Sequence, residues 1–284
     1  DLLICVVTAT LMIGFLLMPR PTGCGAKASR ITCVSNLKQI GLALHTYHDS
    51  QGALPPGWFG ITGGQPDVSG MNGWGWAARL LPQLDQAPLS KQLNFNVKVG
   101  DPLNAALRKH VLSAFRCPSD LSPEIWTLNS AGTSTPLTDV AGASYAGVFG
   151  KDEIDDCDGL PVGSPCSSDG AFYLNSSVKF AQVRDGLSMT LMVGEHQTRP
   201  VSGWLYSWVG AVAGGDRAIV RILGDTDVTP NHDDLHIAEF ASYHTGGCQF
   251  TMGDGSVHFV SNNVDLTIYR NLSSRAGNDI VTGF

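Results

Sequence analysis

Arg30-Ile31-Thr32-Cys33-Val34-Ser35-Asn36-Leu37-Lys38-Gln39-Ile40-Gly41-Leu42-Ala43-Leu44-His45-Thr46-Tyr47-His48-Asp49 decides how this chain is built. Within residues 27–50, Ile31, Val34, Leu37, Ile40, Leu44 and Tyr47 recur at three- and four-residue steps, the period of an amphipathic helix lying on a core. Gln51-Gly52 and then Leu54-Pro55-Pro56-Gly57 end it, because glycine accepts the left-handed C-cap and proline cannot continue the hydrogen-bond ladder.

Upstream, Asp1 heads an uncharged run over residues 2–18. As a helix at ~1.5 Å per residue the run spans ~27 Å, just short of the ~30 Å hydrocarbon core of a bilayer. It lacks the basic start and the small-residue cleavage site of a secretory signal, so it reads as a retained apolar segment. A carboxylate at its head must lie in a headgroup layer, at a helix N-terminus or beside an amine, since burying it unpaired costs several kcal/mol. Pro19-Arg20-Pro21-Thr22-Gly23-Cys24-Gly25 follows, and two prolines with two glycines predict an extended spacer over residues 19–26. The division is a 1–18 apolar helix, a 19–26 spacer and a 27–284 globular head.

The 284 residues are 43% hydrophobic and 15% charged, enough apolar material for a packed core, and 33 Gly with 15 Pro imply long, turn-rich loops. Eighteen basic against 25 acidic residues give a net charge of -7 with no Lys/Arg cluster, which argues against a nucleic-acid partner.

Past the helix, residues 60–75 read as a Gly-rich loop with Trp58, Trp74 and Trp76 on the core, and short helices are expected at 76–93 and 102–114. Beyond residue 144, strand-length runs at 171–174, 189–195, 205–209, 218–223, 248–252 and 256–260 are divided by Gly/Asp/Asn clusters and predict antiparallel pairing. Asp254-Gly255 is a two-residue hairpin signal, and His244 stands beside a tight Gly246-Gly247 turn whose backbone it can bond. A closing helix at 265–275 takes Asp265 as N-cap, with Gly277 shortly after its end.

Of seven cysteines, Cys5 sits in the apolar run and reads as a reduced small hydrophobe. The other six, Cys24, Cys33, Cys117, Cys157, Cys166 and Cys248, allow fifteen pairings. Cys157 and Cys166 flank a Gly/Pro segment able to turn back on itself and form the easiest pair, in an oxidising compartment.

Asn231-His232-Asp233-Asp234-Leu235-His236 gathers two imidazoles and two carboxylates, yet its spacing is that of no familiar hydrolase and Pro230 favours a loop, so no metal is assigned. Calcium could meet hard oxygens at Asp152, Glu153, Asp155, Asp156 and Asp158, or at Asp225 with Asp227, against a solvated acidic loop as the default. No other cofactor and no catalytic residue is expected. Asn175-Ser176-Ser177 and Asn271-Leu272-Ser273 match the glycosylation triplet.

The segment quoted first, together with Leu54-Pro55-Pro56-Gly57, resembles the planctomycete-type family of prepilin-like proteins with an N-terminal cleavage/methylation segment. Phe115-Arg116-Cys117-Pro118-Ser119-Asp120, Ala143-Ser144-Tyr145-Ala146-Gly147, Val183-Arg184-Asp185-Gly186, Met192-Val193-Gly194-Glu195 and His244-Thr245-Gly246-Gly247 through Asp254-Gly255-Ser256-Val257 fit that family in order. The last is its H-X9-DG signature, carried by His244, Asp254 and Gly255. The resemblance implies a Cys33–Cys117 staple between helix and head. Cys24 and Cys248 are left to pair within the chain, to link subunits or to stay free.

The fold expected is α+β and pilin-like: an N-terminal apolar helix, a proline-broken spacer, and a second amphipathic helix packed on an antiparallel sheet with large loop insertions. The resemblance implies a structural subunit of an extracellular filament or tube, a homo-oligomer that sits in the inner membrane before the pilus or secretion machinery assembles it. Asp1, in place of the family's usual Glu, with Leu2, Leu3, Ile4, Val7, Leu11, Ile13, Phe15 and Leu16 would form the assembly surface. The alternatives are a minor pseudopilin or a membrane-tethered binding protein or enzyme.

Overall fold

The computed structural model describes residues 22–277, with side chains from residue 29 onward. Asp1, the apolar run and Pro19 to Pro21 lie outside the described residues, as do the assembly residues assigned to that run. No helix among the described residues is long and apolar enough to cross a membrane.

Helix α1 spans Thr22–Gln51. Its start corrects the spacer: residues 22–26 are helical, not extended. Glycine weakens a helix interior by only about 1 kcal/mol, against about 3 for proline, and both prolines precede Thr22 in the sequence. Leu37, Ile40 and Leu44 are buried as their period predicts, with Val34 and Tyr47 half-buried. Ile31 departs from that pattern. It is 70% exposed and shares an outer stripe with Leu42, 11 residues on and also exposed.

A small antiparallel sheet follows, in the order β2-β1-β3, from β1 (Trp58–Thr62), β2 (Gln65–Pro66) and β3 (Met71–Gly75). The region read as a Gly-rich loop is therefore largely strand, although Trp58, Trp74 and Trp76 are buried as expected. Helix α2 (Trp76–Arg79), a 3-10 turn at Leu81–Leu84 and helix α3 (Ala87–Ser90) occupy the first short helical region, and α4 (Ala105–Arg108) the second.

A second small sheet pairs β4 (Ile125–Asn129), β5 (Pro136–Ala143) and β8 (Tyr206–Ser207), and its first hairpin was not anticipated. The main sheet runs β11-β10-β7-β6-β9, from β6 (Tyr145–Gly150), β7 (Leu191–Glu195), β9 (Leu223–Asp225), β10 (Gly247–Met252) and β11 (Val257–Ser261). Its β6–β9 pair is parallel, which corrects the wholly antiparallel expectation. Residues 218–222, read as strand, are a buried turn in which Ile222 and Leu223 both donate to Ile219 O. A short apolar run looks the same in either state, and here the guanidinium of Arg221 holds it by donating to Gly203 O and Leu205 O. Residues 171–174 contribute only a single bridge, between Leu174 and Trp58.

Helix α5 (Leu266–Ser273) closes the fold, and Asp265 caps it by accepting from Ile268 N. The main sheet lies between α1 and α5. Strand β10 shows how: Cys248, Phe250 and Met252 join Tyr269 and Leu272 of α5 in one apolar cluster, whereas Thr251 on the opposite face donates to Leu37 O of α1. The fold is mixed α/β built on antiparallel sheets.

Candidate functional site: a buried clamp on helix α1

Two disulfides are present among the described residues, Cys157–Cys166 and Cys33–Cys117. The second joins α1 to the loop before β4, with Cα atoms 5.1 Å apart. Around it the scattered motifs meet. Cys117 Sγ lies 3.6 Å from His244 Nε2, which lies 3.4 Å from Glu195 Oε1 at the end of β7. Glu195 Oε2 accepts from Gln249 N of β10 at 2.8 Å. With its amide oxygen turned to the helix, Gln249 accepts from Arg30 Nη2 (3.0 Å) and Nε (3.1 Å), and the Arg30 guanidinium covers the Phe259 ring at 4.3 Å.

Burial governs the charges here. It raises Glu195 to about 7 against the opposing pull of Gln249 N, Ser242 and Arg30, and with Arg30 it lowers His244. Burial thus disfavours the charged form of both partners. Their 3.4 Å contact is a pair close to neutrality rather than a strong ion pair.

A second layer locks the Cys117 loop. Ser144 Oγ donates to Asp120 Oδ2 (2.7 Å) and accepts from Cys117 N (3.0 Å). Asp120 Oδ1 also accepts from Thr198 Oγ1 (2.5 Å) and Ser122 N (2.9 Å). From α1, Asn36 Nδ2 donates to Arg116 O at 2.9 Å and reaches Tyr145 Oη at 3.3 Å. Helix, loop, β6, β7 and the His244 turn are therefore tied at one place by a covalent bond and a chain of buried polar contacts.

The H-X9-DG signature splits between two jobs. His244 was expected on backbone beside Gly246-Gly247; its ring instead meets Glu195 and Cys117, because the turn brings it over the end of β7. Asp254-Gly255 does form the β10–β11 hairpin: Asp254 Oδ1 accepts from Ser256 N and Oγ, and Gly255 has φ +81°. That turn supports α1 near its C-terminal end, where His45 Nε2 sits 2.9 Å from Gly253 O. Gly41 is required there, since a Cβ would lie 2.9 Å from Thr251 Cγ2 and 3.1 Å from Gly255 Cα.

Cys248 is a free thiol, fully buried. Its side chain lies in the apolar cluster with Phe250 and Tyr269, while that of Cys24 lies outside the described side chains. His232, Asp233, Asp234 and His236 are exposed in a turn; His232 Nδ1 accepts from Asp234 N, and His236 contacts Glu239. Asp227 pairs with Arg270, and Asp225 is buried, accepting from Ile154 N and Asp227 N. Neither acidic cluster brings three ligand groups together among the described residues, where the set that does is Cys33, Cys117, Glu195 and His244. Asn175 is committed to Gly60 through both amide atoms, so its triplet is not a free acceptor in the folded chain.

Sequence reasoning passed over Arg30, Asn36, Asp120, Thr198 and Gln249. Arg30, Asn36 and Asp120 lay inside quoted motifs, and Thr198 and Gln249 carried no local signal. It also missed His196, which is fully buried between Tyr206 and Phe240 with neither ring nitrogen bonded among the described residues, and which burial lowers to about 3.

Residues 26–267 match the family described as "Protein of unknown function (DUF1559)", SBP_bac_10. The chain belongs to this family. It is the group of bacterial prepilin-like proteins that the ordered motifs resemble. No curated protein and no solved structure matches. The DUF1559 match takes in α1 from residue 26, every element of the clamp and the H-X9-DG hairpin.

Proposed function

We propose that this DUF1559 chain is a structural subunit, not an enzyme, of an extracellular pilin-like filament or tube, delivered from the inner membrane and polymerised through a bundle of its N-terminal apolar segments. The observation that carries this reading is the clamp. The motifs of the family converge on holding α1 to the head, and α1 begins four residues after the apolar run ends. A subunit pulled through its leading segment needs such a joint, since any force on residues 2–18 reaches the head through α1. Ser144, Asp120, Thr198 and Asn36 of the clamp are bonded to one another or to backbone, as a mechanical joint requires. The outer stripe with Ile31 and Leu42 offers neighbours an apolar contact.

The test is assembly. Purified chain transferred out of detergent is expected to form long polymers visible by negative-stain electron microscopy, and Asp1→Ala or Leu11→Asp should abolish them while leaving the tryptophan fluorescence of the head unchanged. Persistent monomers of the unaltered chain, or variants that polymerise as well as it does, overturn the reading.

A further inference from the structure

We infer that the reduced form of the clamp is a closed zinc site, in which Cys33, Cys117, His244 and Glu195 hold one divalent ion of the zinc class. This rests on the clamp geometry alone and stands whether or not the chain polymerises.

The four ligand atoms lie within 4.8 Å of one another and all four residues are buried. Two thiolates, one imidazole and one carboxylate are a donor set that zinc accepts in tetrahedral array, at about 2.3 Å to sulfur and about 2.0 to 2.2 Å to nitrogen and oxygen. Those bond lengths require ligand–ligand edges of about 3.6 Å for N···S and about 3.4 Å for N···O. The observed edges are 3.6 Å from His244 Nε2 to Cys117 Sγ and 3.4 Å from His244 Nε2 to Glu195 Oε1. The two sulfurs are too close, because they are bonded. Breaking that bond is what lets them move apart to the edge of about 3.8 Å that two zinc-bound thiolates need.

The surroundings fit as well. Glu195 Oε1 lies 3.4 Å from His244 Nε2 and takes no hydrogen bond of proper geometry among the described residues, while Oε2 is fixed by Gln249 N. One oxygen is thus oriented and the other left for a ligand, the arrangement in which a backbone donor aims a coordinating carboxylate. The four ligands come from α1, the Cys117 loop, β7 and the His244 turn, so an ion would tie β7 and the His244 turn to the two elements that the disulfide joins. Metal and disulfide are alternatives at one place.

The exchange balances. A disulfide oxidant of the glutathione class gives up its S–S bond and takes the two electrons as it leaves as two thiolates. The Cys33–Cys117 bond forms, and Zn²⁺ is released. A phosphine runs it in reverse: with one water it becomes the phosphine oxide, and the two cysteines gain the two electrons and two protons, which pass to buffer as zinc binds.

The experiment uses the full chain carrying Cys157→Ser and Cys166→Ser, so that reduction opens a single disulfide. Oxidised and phosphine-reduced samples are incubated with zinc, desalted without oxygen, and their metal content measured. One zinc per reduced chain and none per oxidised chain is expected. Cobalt in place of zinc should give tetrahedral ligand-field bands with thiolate charge transfer. His244→Ala and Glu195→Gln should each weaken retention by more than the ~10- to 100-fold that loss of an outer partner costs. Mass spectrometry of the oxidised variants, showing the Cys33–Cys117 bond, certifies their fold. X-ray absorption of the zinc-loaded parent chain provides a reading independent of those variants, with two sulfur and two nitrogen/oxygen neighbours expected. Equal zinc in both redox states, retention in Cys33→Ser, or a shell of three or four sulfurs would overturn the inference.

Discussion

Replacing Cys33 and Cys117 together by alanine removes the covalent part of the clamp and leaves its apolar part, Leu37, Ile40 and Leu44, in place. The cost follows from the chain closed by the bond. A separation of 84 residues restricts the unfolded ensemble by about 4.6 kcal/mol at 25 °C in the chain-entropy treatment, whereas the separation of 9 between Cys157 and Cys166 gives about 2.6 kcal/mol. The long bond should therefore be worth about 2 kcal/mol more than the short one. Against a typical total of about 5–15 kcal/mol, losing the former brings the head near its stability threshold. Equilibrium urea unfolding of the parent chain, of Cys33→Ala with Cys117→Ala and of Cys157→Ala with Cys166→Ala, read by the fluorescence of buried Trp58, Trp74, Trp76 and Trp208, measures this directly. Equal costs for the two disulfides, or a larger cost for the short one, would refute the reasoning that unfolded-chain restriction governs the clamp.

Gly41→Ala should lower stability by about 1 kcal/mol: crowding against Thr251 and Gly255 costs about 1–3 kcal/mol and outweighs the roughly 1 kcal/mol of helix propensity regained, which thermal unfolding will register. Ser144→Ala leaves Cys117 N without its acceptor and Asp120 without one donor, for a loss of about 2–3 kcal/mol in denaturant unfolding. Burial raises Asp225 to about 7, so between the unfolded value near 3.8 and that value the folded chain holds a proton the unfolded chain lacks. Its contribution to stability is consequently greatest below about pH 4, falls by an amount on the order of 4 kcal/mol as pH rises to about 7, and is level above that. Asp225→Asn should flatten this part of the stability–pH profile, and an unchanged slope between pH 4 and 7 would count against it.

Most of what could be read locally was read correctly. The period of Leu37, Ile40 and Leu44 placed α1, Asp254-Gly255 placed the β10–β11 hairpin, Asp265 placed the cap of α5, and the Gly/Pro segment between Cys157 and Cys166 announced a short disulfide loop. In each case the deciding interaction spans a few residues, so neighbours in sequence carry the signal. The β4–β5 hairpin escaped because its strands are partly polar and its β5 start is exposed, and residues 218–222 misled because buried turns and buried strands share an apolar composition.

What the sequence by itself determined is thus the inventory: a helix with one wet and one dry face, the strands β7, β10 and β11, and ordered motifs naming the family. What only the tertiary structure decided is where those motifs go. That Cys117, Ser144, Glu195 and His244 converge on one face of α1, that Cys248 points away into an apolar cluster, and that Asp225 and His196 lose their water are consequences of long-range packing. Burial and proximity are set by every element that covers a residue, and residues more than 200 positions apart, such as Cys33 and His244, carry no local trace of having met.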